Sequence, residues 1–418
     1  MVKLLIIADD FTGALDTGIQ FVNRGIATQV FTGKPERPAE IAAQTEVLVV
    51  DSETRPMMPE SAYETVKEIT AWAKSLNIEI IFKKTDSALR GNIGSELQAV
   101  SDGNREKTLY FLPGYPKMDR LTINGFHYIK ETLLEHSVFG QDPFEPVTQS
   151  YIPDIIRQES QMSLQCIGGD EPLSRISGNP SAVICDIRHQ EDMEARVEEL
   201  LERGQLKLVA GCAALADSLA SKIPFHRNAP NQCRQTNGLF VACGSLNRIT
   251  EQQLIYAQKN GFTRQHLTIE QKLQKGYYDT SAGKAFLQYI LETCRKHPQM
   301  IVDSMGGEEA MEAYRKKYGI SMPDVRRLIP EAHGQIADFL ARNHMDITVL
   351  TTGGDTLMGY MKLIGCTQIR PVCEIEPGVV VSELENRGFL QQVISKSGGF
   401  GTEDVLVRIA EKITNFNK

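Results

Sequence analysis

The chain has 418 residues, 41% hydrophobic and 23% charged, which is more than one core usually supports and too apolar for extended disorder. Its net charge of −8 argues against a nucleic-acid surface, where a basic face is required, yet leaves room for an anionic small molecule held by a few local cations. The eight cysteines are scattered without a C-x-x-C pair, so no zinc site is expected and no residue is assigned as a metal ligand, and reduced thiols fit a cytoplasmic protein.

The first apolar run, residues 4–8, ends in Asp9-Asp10 and is too short for a signal peptide. No stretch approaches the roughly 20 apolar residues of a membrane helix, so no membrane partner is expected. Residues 47–50, 78–82 and 109–112 read as further buried strands, with helices predicted over 13–23 and 61–75. Beyond them, strands are predicted at 183–185, 206–210, 239–243, 300–302 and 347–350. Helices are predicted at 192–203, 249–259, 285–296, 306–317, 336–342 and 403–413. This alternation predicts an α/β fold of two domains, each with a largely parallel sheet flanked by helices. A polar, Pro-containing linker at 223–238 separates the domains, which places the first at 1–228 and the second at 229–418.

Ligands of open α/β sheets bind at the carboxyl ends of strands. Asp9 and Asp10 end the first strand, where paired acids could hold hydroxyls, bind Mg2+ or act as a base; alternatively one of them caps the next helix. Arg55 follows the second strand and is placed either to clamp a carboxylate or to pair with Glu53 at the surface. The third strand runs into Lys83-Lys84-Thr85-Asp86-Ser87-Ala88-Leu89-Arg90-Gly91, a mixture of cations, hydroxyls and glycine suited to an anion. A Pro-Gly-Tyr-Pro loop at residues 113–116 reads as rigid, and Asn124-Gly125 as a turn. Tyr115 and His127 could touch a ligand or pack.

In the second half, three glycine-rich loops follow strands: Cys243-Gly244-Ser245-Leu246-Asn247, Thr352-Gly353-Gly354-Asp355-Thr356 and Ser397-Gly398-Gly399-Phe400-Gly401. Glycine lets the backbone approach a phosphate, and free amides at a helix start bind the anion, so three such loops point to a nucleotide polyphosphate. Neither a P-loop nor a dinucleotide fingerprint is present.

Together, residues 7–14, Lys84–Ser87, residues 90–94, 113–116 and 244–245, and the two later glycine-rich loops resemble the four-carbon acid sugar kinase family, once catalogued as a domain of unknown function. The resemblance spans nearly the whole chain. It implies an N-terminal domain for a sugar acid, a C-terminal domain for ATP, and an active site in the interdomain cleft. Within the family, Lys84-Thr85-Asp86-Ser87 looks like the D-threonate and D-erythronate 4-kinases rather than the 3-oxotetronate branch, and Ala88 stands where Thr is expected. Substrate contacts would fall to Asp9, Asp10, Arg55, Lys84, Thr85, Asp86, Ser87 and Arg90, with Asp86 as base and Asp10 on the hydroxyls. ATP contacts would fall to Ser245, Thr352, Gly353, Gly354, Asp355, Gly398 and Gly399, with Mg2+ accompanying ATP. The implied partners are the sugar acid and ATP, with a homodimer as one assembly open to the chain. An NAD-linked sugar-acid dehydrogenase is the competing enzyme, disfavoured by the missing fingerprint. A non-catalytic sugar-acid-binding protein would not need the glycine-rich loops.

Overall fold

The structure is a computed structural model that describes residues 2–104, 108–142, 145–229, 231–245 and 247–414. Pro230 of the linker and Leu246 of the first glycine-rich loop lie outside the described residues. The chain divides into two compact units, Met1–Pro230 and Asn231–Lys418.

Unit one contains β1 (Leu4–Ala8), β2 (Thr28–Thr32), β3 (Val47–Asp51), β4 (Ile80–Lys84), β5 (Leu109–Leu112), β6 (Arg120–Ile123), β7 (Phe126–Ile129), β8 (Thr132–Leu133), β9 (Leu164–Ile167), β10 (Ala182–Cys185) and β11 (Leu208–Gly211). Among the described residues its main sheet runs β2-β3-β1-β4-β11-β5-β10-β9, all parallel. β1, β3, β4 and β5 are buried at every position, as strands covered on both faces must be. Leu5 and Ile7 join a cluster with Val66, Ile69, Leu97 and Val100 of the helices Pro59–Ser75 and Ile93–Gly103. The intervening Leu4 and Ile6 project to the opposite face and are equally buried. Strands β6, β7 and β8 form a separate antiparallel sheet. The Asn124-Gly125 signal is its two-residue turn, with positive φ at both residues.

Unit two contains β12 (Gly238–Cys243), β13 (Thr263–His266), β14 (Gln299–Asp303), β15 (Ile347–Thr352), β16 (Gln368–Glu376), β17 (Val379–Asn386) and β18 (Phe389–Lys396). β13-β14-β12-β15-β18 are parallel, and β18-β17-β16 continue as an antiparallel meander. The meander is absent from the predicted elements, although both turns carry a glycine of positive φ, Gly378 and Gly388.

Two boundaries differ instructively. The third predicted strand, 78–82, lies at Ile80–Lys84, because two lysines read as the start of the anion-binding loop are strand residues with buried partners. The helix predicted at 336–342 runs Met322–Arg342 through Pro330. A capping box at Ser321 and Asp324 starts it at Met322 rather than at residue 336. A Cβ at Gly359 would stand 2.4 Å from the Pro330 Cβ, so the helix Gly354–Ile364 packs directly over the proline.

Candidate active site

The register of unit one sets Thr32, Asp51, Ala8, Lys84, Gly211 and Leu112 side by side at the carboxyl edge of the sheet. Residues just beyond those positions therefore gather on one edge. Asp10 takes an extended conformation, and its Oδ1 accepts from the Gly13 amide at 3.1 Å. It caps the helix Phe11–Val22 and also faces the site, so the two sequence alternatives coincide. Arg55 donates from Nε to Asp9 Oδ2 and from Nη2 to Asp10 Oδ1, both at 2.7 Å. Its side chain is 13% exposed and turned inward, which replaces the surface-pair alternative. Lys84 Nζ reaches Asp9 Oδ1 at 3.0 Å and Asp10 Oδ1 at 2.8 Å. A Cβ on Gly13 would lie 1.8 Å from that ammonium, so glycine is what admits Lys84 to Asp10.

Asp86 is chelated by Arg90, Nε to Oδ2 at 2.8 Å and Nη2 to Oδ1 at 3.1 Å, and Arg90 also donates to Asp142. Burial raises the Asp86 carboxyl, but Arg55 and Arg90 outweigh it and hold it well below the usual carboxylate range. Burial opposes ionisation of Asp9 as well, and Arg55 with Lys84 again prevails. Asp51, buried without such cations and facing Asp10 and Asp9, is pushed well above the usual range. On the opposite face of β4 Lys83, fully buried, pairs with Glu96 at 2.8 Å and donates to the Ile7 and Lys84 carbonyls. Thr85 bonds Gly211 across the sheet, and His127, burial-depressed to about 4, donates from Nε2 to the Ser87 carbonyl and accepts at Nδ1 from the Thr122 hydroxyl. His127 is therefore packing that fixes the Ser87 backbone. Cys212, at the end of β11, points at the Pro113 and Gly114 carbonyls.

Unit two repeats the logic. Asp303, Cys243, Thr352 and Lys396 lie side by side in register, so the loops after β14, β12, β15 and β18 share one edge. Thr250 Oγ1 donates to the Gly398 carbonyl at 2.7 Å, and Gln253 Nε2 donates to the carbonyls of Phe400 and Gly401. These bonds tie the last glycine-rich loop to the helix Arg248–Lys259 that follows the first. The Gly353 amide bonds the Lys396 carbonyl, and its φ of 88° requires glycine. A Cβ at Gly398 would meet Ser245 Oγ at 2.9 Å, whereas one at Gly399 would meet nothing within 4 Å. Asp355 is mostly exposed. Burial pushes the Lys396 amine down to about 8, and its bond is to the Ser397 carbonyl. Among the described residues no group of three or more His, Cys, Asp or Glu side chains could hold a metal ion, and no helix is long and apolar enough to cross a membrane.

A sugar-binding N-terminal domain family matches residues 4–219, and a nucleotide-binding C-terminal domain family matches 240–406. The chain belongs to this two-domain family. The glycine-rich edge of unit two is thus the edge of a nucleotide-binding domain, and the charged edge of unit one that of a sugar-binding domain. Among the relatives are a D-threonate kinase of Salmonella typhimurium, 24% identical over 97% of this chain and 96% of the relative, and a D-erythronate kinase of Heliobacterium modesticaldum, 25% identical over 97% and 95%. A 3-oxo-tetronate kinase of Pectobacterium atrosepticum is 24% identical over 98% of each chain. The fold matches a solved Haemophilus influenzae protein with a TM-score of 0.76 at 19% identity, covering 98% of this chain and 100% of the other.

The predicted residues of unit one do come together, as do those of unit two within their own edge. Sequence reasoning missed Arg120, whose Nη1 donates to Ser87 Oγ, and the buried Lys83–Glu96 pair. Their spacing carries no signal, since each partner arrives from a different element.

Proposed function

We propose that the protein is an ATP-dependent kinase that phosphorylates the terminal 4-hydroxyl of a four-carbon sugar acid such as D-threonate or D-erythronate. The observation that carries this reading is the pair of sheet edges: interlocked carboxylates and cations in one unit, and glycine-rich loops side by side in the other. The relatives' names supply the substrate class. A cytoplasmic location follows from the use of ATP.

The sugar acid lies on Asp9, Asp10, Arg55, the Lys84–Ser87 loop and Arg90. The ATP phosphates lie against Ser245, residues 352–355 and Gly398-Gly399, where open space above Gly353 and Gly399 fits a phosphate close to backbone amides. Mg2+ belongs to the proposal as companion of the nucleotide; the exposed Asp355 carboxylate suits it, and the ion would neutralise phosphate charge. Transfer itself needs the γ-phosphoryl group within reach of the hydroxyl. For the base, the sequence favours Asp86, but both oxygens of Asp86 are held by Arg90. Among the described residues Asp10 spends only Oδ1, on Arg55, Lys84 and Gly13, and its side chain is 26% exposed. We therefore assign orientation of the hydroxyl and acceptance of its proton to Asp10 Oδ2.

Gly399→Val tests the nucleotide half cleanly, because the free protein has room for the new side chain. The variant should keep its melting temperature and bind Mg-ATP at least about tenfold more weakly by calorimetry, about 1.4 kcal/mol. Unchanged affinity would remove ATP from this loop.

A further inference from the structure

The cations of unit one are unequally committed. Arg55 gives its Nε and Nη2 to Asp9 and Asp10. Lys84 is shared by the same two acids. Arg90 gives Nε and Nη2 to Asp86 and Nη1 to Asp142. Each of these charges is already neutralised, so none is at liberty to take a substrate carboxylate without releasing a buried acid.

Arg120 differs. It opens β6, and its backbone is pinned by reciprocal bonds with Tyr115, which close the Pro116–Met118 turn. Its Nη1 donates to Ser87 Oγ, within the loop that carries Asp86. Its guanidinium lies 5.1 Å from the centre of the Phe139 ring, which Arg90 also covers at 5.2 Å. Phe139 thus holds the two guanidiniums in one neighbourhood. Among the described residues Arg120 makes no ion pair, and its Nε and second Nη make no hydrogen bond. A half-buried guanidinium with an open Nε–Nη edge is a fork shaped for a carboxylate.

Resting on the reading of unit one as the sugar-acid site, we propose that Arg120, rather than Arg55, reads the carboxylate of the substrate and sets the preference for an acid over a neutral sugar alcohol. The acid-bearing lattice of Asp10, Arg55 and Lys84 is then left to the hydroxyls. The Ser87 hydroxyl orients the fork, and the His127 bond to the Ser87 carbonyl keeps that hydroxyl in place.

The test compares D-threonate or D-erythronate with the four-carbon polyol that lacks the carboxylate, in wild type, Arg120→Gln and Arg120→Lys. Wild type should favour the acid. Arg120→Gln should lower kcat/KM for the acid by about 10- to 150-fold, mainly through KM, while KM for ATP and kcat/KM for the polyol stay within about threefold. Arg120→Lys keeps the charge and the contact with Phe139 but not the fork, and should fall between. Should Arg120→Gln fold poorly, the acid-to-polyol ratio of Arg120→Lys still reads the effect. An unchanged ratio in both variants overturns the role of Arg120 while leaving the kinase reading intact. Equal use of acid and polyol by wild type overturns it as well. If wild type consumes ATP with no four-carbon acid, the kinase reading falls and this assignment with it.

Discussion

Asp10→Asn is expected to lower kcat by about 10²- to 10⁴-fold, with a much smaller change in the KM of either substrate. Phosphoryl transfer depends on positioning and charge neutralisation, and the protein's own share is to orient the attacking hydroxyl and receive its proton. Asn keeps the size of the side chain and can still accept from the Gly13 amide, so the cap on Phe11–Val22 survives. What it loses is the charge facing Arg55 and Lys84 and the basicity of the second carboxylate oxygen. Asp86→Asn serves as the contrast. Its carboxylate works against Arg90, so its loss should loosen the Arg90 and Ser87 side of the site and raise the KM of the sugar acid more than it lowers kcat. Steady-state kinetics of both variants decide the matter. A near-normal kcat in Asp10→Asn together with a collapsed kcat in Asp86→Asn would exchange the two roles.

Glu96→Ala should destabilise the protein by about 3–5 kcal/mol, measured by urea denaturation, because it strands the Lys83 ammonium in the interior. Lys83 then retains the Ile7 and Lys84 carbonyls, its other partners among the described residues. The attraction between two buried charges roughly repays their desolvation, so the pair itself contributes little. The double variant Lys83→Met, Glu96→Leu should accordingly recover most of the loss. A double variant as unstable as the single one would show that the pair does more than cancel its own burial. Lys83 precedes Lys84 on β4 and projects to the opposite face of the sheet, so the double variant also asks whether the carboxyl edge holds its shape when that face is apolar.

Much of the fold was legible because the parallel strands are short apolar runs buried on both faces, and their ends carry the unusual residues. Asp9-Asp10, the Lys84–Ser87 loop and the glycine-rich loops stood out for that reason. The misses share a cause: partners brought from far along the chain. Lys83 and Lys84 read as the polar end of a strand, yet Glu96 from a helix and Asp9-Asp10 from another strand neutralise them. The helix predicted only over 336–342 extends back through Pro330, where glycine in the neighbouring helix lets that surface pack. The β16–β18 meander mixes polar and apolar residues without a regular period, a weaker pattern than a buried run. Arg120 had no local signature at all. Its meaning lies in which acids it does not meet.

The near-cancellation of charge on the unit-one edge has a kinetic side. Opposite charges locked at contact distance cast almost no field beyond a Debye length, about 8 Å at physiological ionic strength. The chain as a whole carries −8, so an approaching sugar acid meets no long-range attraction and some mild repulsion. Capture is then an affair of the last few ångströms, without electrostatic steering. Added salt should leave kcat/KM for the sugar acid level or raise it slightly, the reverse of an enzyme that draws in an anionic substrate from afar.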